Sequence, residues 1–200
     1  SGTGRITNLI MRPMSLFESK ESNGQISLKS LFETDEIVAS KCDTSITDYC
    51  FYTARGGWPK AIGCTEKVAL QQAIDYYDGL ISSDIKIENT KNKQSERVKL
   101  LMKSYARNCS TQANYSTIQK DMLANDNNKL DEDTIYSYIN NLKKLYVIEE
   151  SEAWNPNLRS KTAIRTTNTR YFVDPSIACA ALGVDNNGLI RDLKTFGMLF

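Results

Sequence analysis

A mainly helical fold with a small β component is what the sequence predicts, and three observations predict it. Apolar side chains recur at 3- and 4-residue spacing in several stretches, around residues 50, 73, 102 and 139, which is the helical period. Strand-like runs are few: one near the start, then VIEE at 147 to 150 and RYFVD at 170 to 174, these two on either side of a basic loop. Glycine and proline fall at 56 to 59, 175 and 183, where they can stop or start helices.

Taken in order, residues 6 to 16, ITNLIMRPMSL, hold a short apolar run ended by Arg12-Pro13, consistent with one strand that has lost its sheet partners. After a polar turn at 18 to 24, Ser27 can cap a short helix through Phe32. Ser45 can cap another, carrying Ile46, Tyr49, Cys50 and Ala54, which must end near Arg55 because Gly56, Gly57 and Pro59 break it. Thr65 opens a long helix through about Ser82, with Val68, Ala69, Gln72, Ala73, Tyr76, Tyr77 and Leu80 at helical spacing. The stretch IENTKNKQ at 87 to 94 is polar and aperiodic, and is read as a domain boundary.

Downstream, Ser95 caps a helix with Val98, Leu101, Met102, Tyr105 and Cys109 as its apolar stripe. Ser116 or Thr117 opens a short helix, Ile118 to Leu123, and a turn at 125 to 129 leads to Asp131. From there Ile135, Tyr138, Ile139, Leu142 and Leu145 recur at helical spacing. Helices in this order followed by two strands make a helix-turn-helix with a wing. Pro175 can then occupy the first turn of SIACAALG, with Gly183 as its exit, and a last helix spans 186 to 195.

Composition excludes several function classes. With 25 basic and 24 acidic side chains the net charge is +1, so any nucleic-acid contact must be a local patch. Histidine is absent, which removes Ser-His-Asp and Cys-His catalysis and every histidine-containing metal site. No P-loop motif is present, so the chain alone is not expected to bind ATP in the ordinary way. The five cysteines form no CxxC pair and are read as reduced thiols of a cytoplasmic protein. No apolar run approaches the roughly 18 residues of a membrane span. The chain lacks an initiator Met and stops on apolar FGMLF, so it reads as a piece of a longer protein.

Two segments are candidate binding sites. Between Trp154 and Val173 lie Arg159, Lys161, Arg165 and Arg170 without a carboxylate, a set suited to phosphate, and Trp154 could stack on a base or instead sit in the core. The third helix adds Thr134, Tyr136, Ser137, Asn140, Asn141 and Lys144 on its outward side, though Asp131, Glu132 and Asp133 at its start would repel phosphate. In Arg55-Gly56-Gly57-Trp58-Pro59 the glycines would let the main chain approach a flat ligand, with Trp58 or Pro59 packing on it, or else the motif is a helix stop with a buried tryptophan. The acids Glu149, Glu150 and Asp131 to Asp133 read as structural, so no catalytic or metal-binding residue is assigned.

MRPMSLFE at 11 to 18, RGGWPKAI at 55 to 62, SYARNCST at 104 to 111, SKTAIRT at 160 to 166 and YFVDPSIACAALG at 171 to 183 together resemble bacterial and archaeal AAA-type ATP-binding proteins whose C-terminal half is domain of unknown function 4143. The resemblance implies that residues 1 to 16 are the remnant of an ATPase core strand and 17 to 90 a helical lid-like subdomain. It implies further that 91 to 183 form a winged-helix domain and that 184 to 200 are a helix leading into a further C-terminal domain. Gly57, Trp58 and Pro59 would then lie near adenine, Arg5 and Arg55 would sense phosphate, and ATP and Mg would belong to the full-length parent, with no cofactor held by this chain alone. Members of that family commonly continue into a restriction-endonuclease-like domain, whose catalytic set this chain lacks.

The expectation is a non-catalytic lid plus winged-helix portion of an AAA-type ATPase, coupling nucleotide state to DNA or protein binding. Its partners would be its own N-terminal ATPase domain and duplex DNA or an acidic protein, with no membrane. The alternatives are a stand-alone winged-helix DNA-binding regulator and a protein-interaction module without nucleic acid.

Overall fold

The computed structural model describes residues 4, 5, 7, 9–35, 39–84, 91–123, 131–154 and 167–200. They are mainly helical, with one two-stranded antiparallel sheet. Residues 9 to 15 form no strand, because no other strand among the described residues pairs with them. They run instead as a strap with Leu9, Ile10 and Met11 exposed, tied to the body where the Met14 N–H donates to the Gly57 carbonyl at 2.8 Å.

Helix α1 (Leu28–Glu33) follows Ser27, whose side chain makes no capping bond, and it buries none of its residues. In α2 (Ile46–Arg55) Ser45 and Asp48 form a reciprocal capping box, and the helix stops where Gly56 turns to a φ of +75°. A 3-10 turn (Pro59–Ala61) leads to α3 (Glu66–Gly79), which continues through a π-helical turn (Leu80–Asp84). Helix α4 (Lys91–Arg107) begins ahead of Ser95, since lysine and glutamine propagate a helix well, so part of the expected linker is helical. The rest of that linker lies outside the described residues.

Asn114, rather than Ser116 or Thr117, caps α5 (Tyr115–Leu123), its Oδ1 accepting from the Thr117 N–H at 2.8 Å. Asp131 caps α6 (Glu132–Lys144) by accepting from the Thr134 N–H at 2.7 Å. Strands β1 (Ile148–Ser151) and β2 (Thr169–Phe172) pair antiparallel, with Ile148 opposite Phe172 and Glu150 opposite Arg170. Along the other edge of β2, the Ser110 N–H donates to the Arg170 carbonyl at 2.8 Å and the Arg170 N–H to the Thr111 carbonyl at 3.1 Å. Helix α7 (Pro175–Leu182) starts on Asp174 and ends on Gly183 in the left-handed region. The expected last helix divides into α8 (Asn186–Arg191) and α9 (Leu193–Leu199), because the Asp192 carboxylate accepts from the Thr195 N–H and starts a new helix.

Helix α7 is the hub. It buries Ser176, Ile177, Ala178, Cys179 and Ala181, and these small side chains let α2, α3 and α4 approach closely. Leu101, Tyr105, Ile118, Ile135, Ile139 and Leu142 fill the space among α4, α5 and α6. One buried cluster thus runs from Cys50 to Leu199, across the boundary expected near residue 90. The five cysteines are unpaired, with Cys50, Cys109 and Cys179 buried and Cys42 and Cys64 exposed. No helix among the described residues is long and apolar enough to cross a membrane.

Candidate functional site

The Arg55 to Pro59 motif closes on the start of α7. The Gly57 N–H donates to Asp174 Oδ2 at 2.8 Å, and Asp174 Oδ1 accepts from the Ser176 N–H and hydroxyl. A Cβ at Gly56 would stand 2.2 Å from Asp174 Oδ1, and one at Gly57 would stand 2.2 Å from the Met14 carbonyl oxygen. The close backbone approach foreseen for a ligand is therefore made to Asp174 and Met14. Trp58 is half-buried, with its Nε1 donating to Ser176 Oγ at 2.8 Å and its ring 4.5 Å from that of Tyr76. Arg55 is buried: its Nη1 lies 2.5 Å from Glu21 Oε1, and its guanidinium sits 5.1 Å from the Tyr52 ring centre. Burial raises the Glu21 pKa, but the hydrogen bonds and charge supplied by Arg55 and Ser19 together outweigh it and hold the carboxyl below its ordinary value. Arg55 is thus already ion-paired, and Arg5 is exposed in a turn.

Beside the motif opens a cavity of about 660 Å³, inside the span of about 300–1,000 Å³ usual for small-molecule sites. Its lining includes Trp58, Pro59 and Tyr76, residues 10 to 14 of the strap, Lys143, Tyr146 and Glu149 around the turn from α6 into β1, and Val173 after β2. Apolar side chains dominate, and the charges present are paired. Arg12 Nη1 lies 2.6 Å from Glu149 Oε2, and Lys143 Nζ lies 2.8 Å from Glu150 Oε2. Glu18 accepts from the Ser15 N–H and hydroxyl, which holds its pKa low. Tyr146 has a φ of +54°, the position glycine usually takes when a helix closes in this way. Its N–H donates to the Lys143 carbonyl and that of Val147 to the Leu142 carbonyl, leaving the tyrosine ring exposed at the cavity. A larger cavity, about 830 Å³, is lined by Glu21, Tyr49 and Tyr52, on the side where Arg55 is paired.

The expected row of free cations is thinned by one. Arg170 is buried in β2, its Nη1 2.5 Å from Glu150 Oε1, its Nε donating to the Ala113 carbonyl and its guanidinium 4.5 Å from the Tyr115 ring centre. Arg159, Lys161 and Arg165 lie outside the described residues. Lys144 is exposed near the end of α6, and Trp154 is 84% exposed rather than in the core. On the outward side of α6, Tyr136 and Ser137 are exposed while Thr134, Asn140 and Asn141 are half-buried.

Arg12, Tyr76 and Tyr146 belong to the cavity but carry no assignment from sequence. The break that Arg12-Pro13 makes in an apolar run was the available signal for Arg12, whereas Tyr76 is indistinguishable from a core position of its helical stripe. Nothing local marks Tyr146, since a left-handed residue after a helix is ordinarily expected to be glycine.

Fold and site together define a mainly helical domain with a small antiparallel sheet and an aromatic-lined cavity at the Gly-Gly-Trp-Pro motif. The chain belongs to the family of a domain of unknown function, DUF8612, whose model matches residues 46–188. That span holds Trp58, Tyr76 and the α6–β1 turn, and leaves the strap outside. That match gives no support to the AAA-type ATP-binding family or to domain of unknown function 4143. Neither the curated proteins nor the solved structures contain a match.

Proposed function

We propose that this chain is a non-catalytic coupling module, which takes a nucleotide base into the strap cavity and passes occupancy to a winged-helix unit, α4 to β2, that contacts DNA or protein. The observation that carries this reading is that one cavity is lined by both parts, Trp58 and Pro59 on one hand and Tyr146 and Glu149 on the other. A ring held on Trp58 would also touch the end of α6 and the start of β1. A ligand with such differential contacts shifts the balance between two arrangements of those elements.

The order α4, α5, α6, β1, β2, with residues 110 and 111 paired along the other edge of β2, supports the winged-helix part. The resemblance of the Gly-x-Pro element to ATPase lids supports adenine as the base. Hydrolysis would require a parent ATPase domain that supplies the phosphate-binding lysine and Mg.

In a Trp154→Phe variant Trp58 is the remaining tryptophan. Titration with adenosine is expected to change its fluorescence saturably, and no change at millimolar ligand would sink the nucleotide reading. Salt-dependent binding of duplex DNA, lost when Arg159, Lys161 and Arg165 are all changed to alanine, would identify DNA as the partner. No DNA binding at low salt would leave a protein partner.

A further inference from the structure

We infer that Arg12 is the anion-binding residue of the strap cavity and that Glu149 is its internal competitor, so that the ligand is a flat ring bearing phosphate. This rests on the nucleotide reading above and assigns the charged end of that ligand. Arg12 and Glu149 both line the cavity, and their side chains are 58% and 37% exposed. An ion pair so open to water is held weakly and exchanges readily. The guanidinium reaches both carboxylate oxygens through one nitrogen, Nη1, at 2.7 and 2.6 Å, so this pair does not use the two-pronged geometry that guanidinium and phosphate form.

The other cations nearby are held more firmly. Lys143 is bound to the more buried Glu150, and Arg55 is buried on Glu21. Met14 anchors the strap to Gly57 two residues beyond Arg12, so the arginine can change partners while the strap stays attached. Glu149 lies in β1 opposite Tyr171, and its release places an uncompensated carboxylate on the sheet pair. Partner exchange at Arg12 is the step by which the ligand is felt in the winged-helix unit.

The test compares adenosine with ADP through Trp58 fluorescence in the Trp154→Phe chain, with circular dichroism to verify folding. ADP is expected to bind about tenfold more tightly than adenosine, since the added contact is a charge-assisted one. Arg12→Gln should reduce ADP to the level of adenosine, and Glu149→Gln should tighten ADP several-fold while leaving adenosine unchanged. Equal binding of the two ligands by the parent chain, or an ADP preference that survives Arg12→Gln, overturns the assignment while the cavity reading stands on adenosine. Should Arg12→Gln lose adenosine as well, Arg12→Lys decides: recovery of both ligands with ADP preferred supports the assignment, and recovery of adenosine alone refutes it. Failure of both ligands to bind the parent chain removes the nucleotide reading, and this inference with it.

Discussion

At Gly57 the backbone is hemmed in from two directions, by the Met14 carbonyl and by the Asp174 carboxylate that accepts its N–H. Gly57→Ala forces a methyl group against main chain, and the expected loss is about 1–3 kcal/mol in urea unfolding, the usual cost of overpacking. Tyr146 presents the opposite case, a bulky residue in the left-handed region with its ring exposed. Tyr146→Gly is expected to raise stability by about 1 kcal/mol, because glycine takes that conformation freely, and to weaken adenosine binding, because the ring lines the cavity. A variant both more stable and equally competent would remove Tyr146 from the site. Acid tests the buried pairs. Burial raises the Glu150 pKa, but Lys143, Arg170 and Asn168 together outweigh it and leave the value lowered, as Arg55 and Ser19 do for Glu21. A depressed carboxylate contributes its full stability above the unfolded value, about 4.3, and loses it as pH falls through the folded one. The melting temperature should therefore drop on acidification below about pH 4, and Glu150→Gln should flatten that drop. The Gly-Gly-Trp-Pro motif could be singled out from sequence, but its acceptor, Asp174, lies 117 residues away, and no local pattern connects the two.

Elements whose ends are governed by nearest neighbours were legible. Ser45, Asp131 and Gly183 each do what their residue type and position predict. Asn114 and Asp192 were missed because several polar residues compete at each site, and the one that wins is decided by which backbone N–H it faces. Asp174 caps α7 and holds Gly57 at the same time. Asp174→Ala removes the cap and strands a buried N–H, so a loss of about 2–3 kcal/mol is expected in thermal or urea unfolding. A loss under about 0.5 kcal/mol would mean that the Gly57 contact contributes nothing. Helix α1 gives the contrast, since Leu28, Leu31 and Phe32 are exposed and none of its residues is buried. Phe32→Ser should leave the free energy of urea unfolding within about 0.5 kcal/mol of the parent, as surface changes do.

Over the whole molecule the decisive feature is one core where sequence suggested a boundary. Helix α7 joins α2 and α3 to α4, and the buried cluster extends from Cys50 to Leu199. Far-UV circular dichroism and Trp58 fluorescence should therefore report one coincident urea transition in the Trp154→Phe chain. Two separated transitions would restore the boundary near residue 90. The amino-acid order by itself determined the helical periodicity, most helix ends and the pairing of two short strands around the loop, because spacing, capping and the restrictions of glycine and proline act within a few residues. Only the tertiary structure decided that the arginines at 55 and 170 are consumed internally, that Arg12 and Tyr146 meet Trp58 at one cavity, and that the supposed domains share a core. Those outcomes depend on which distant surfaces fit together, and packing between distant residues leaves no periodic trace in the chain.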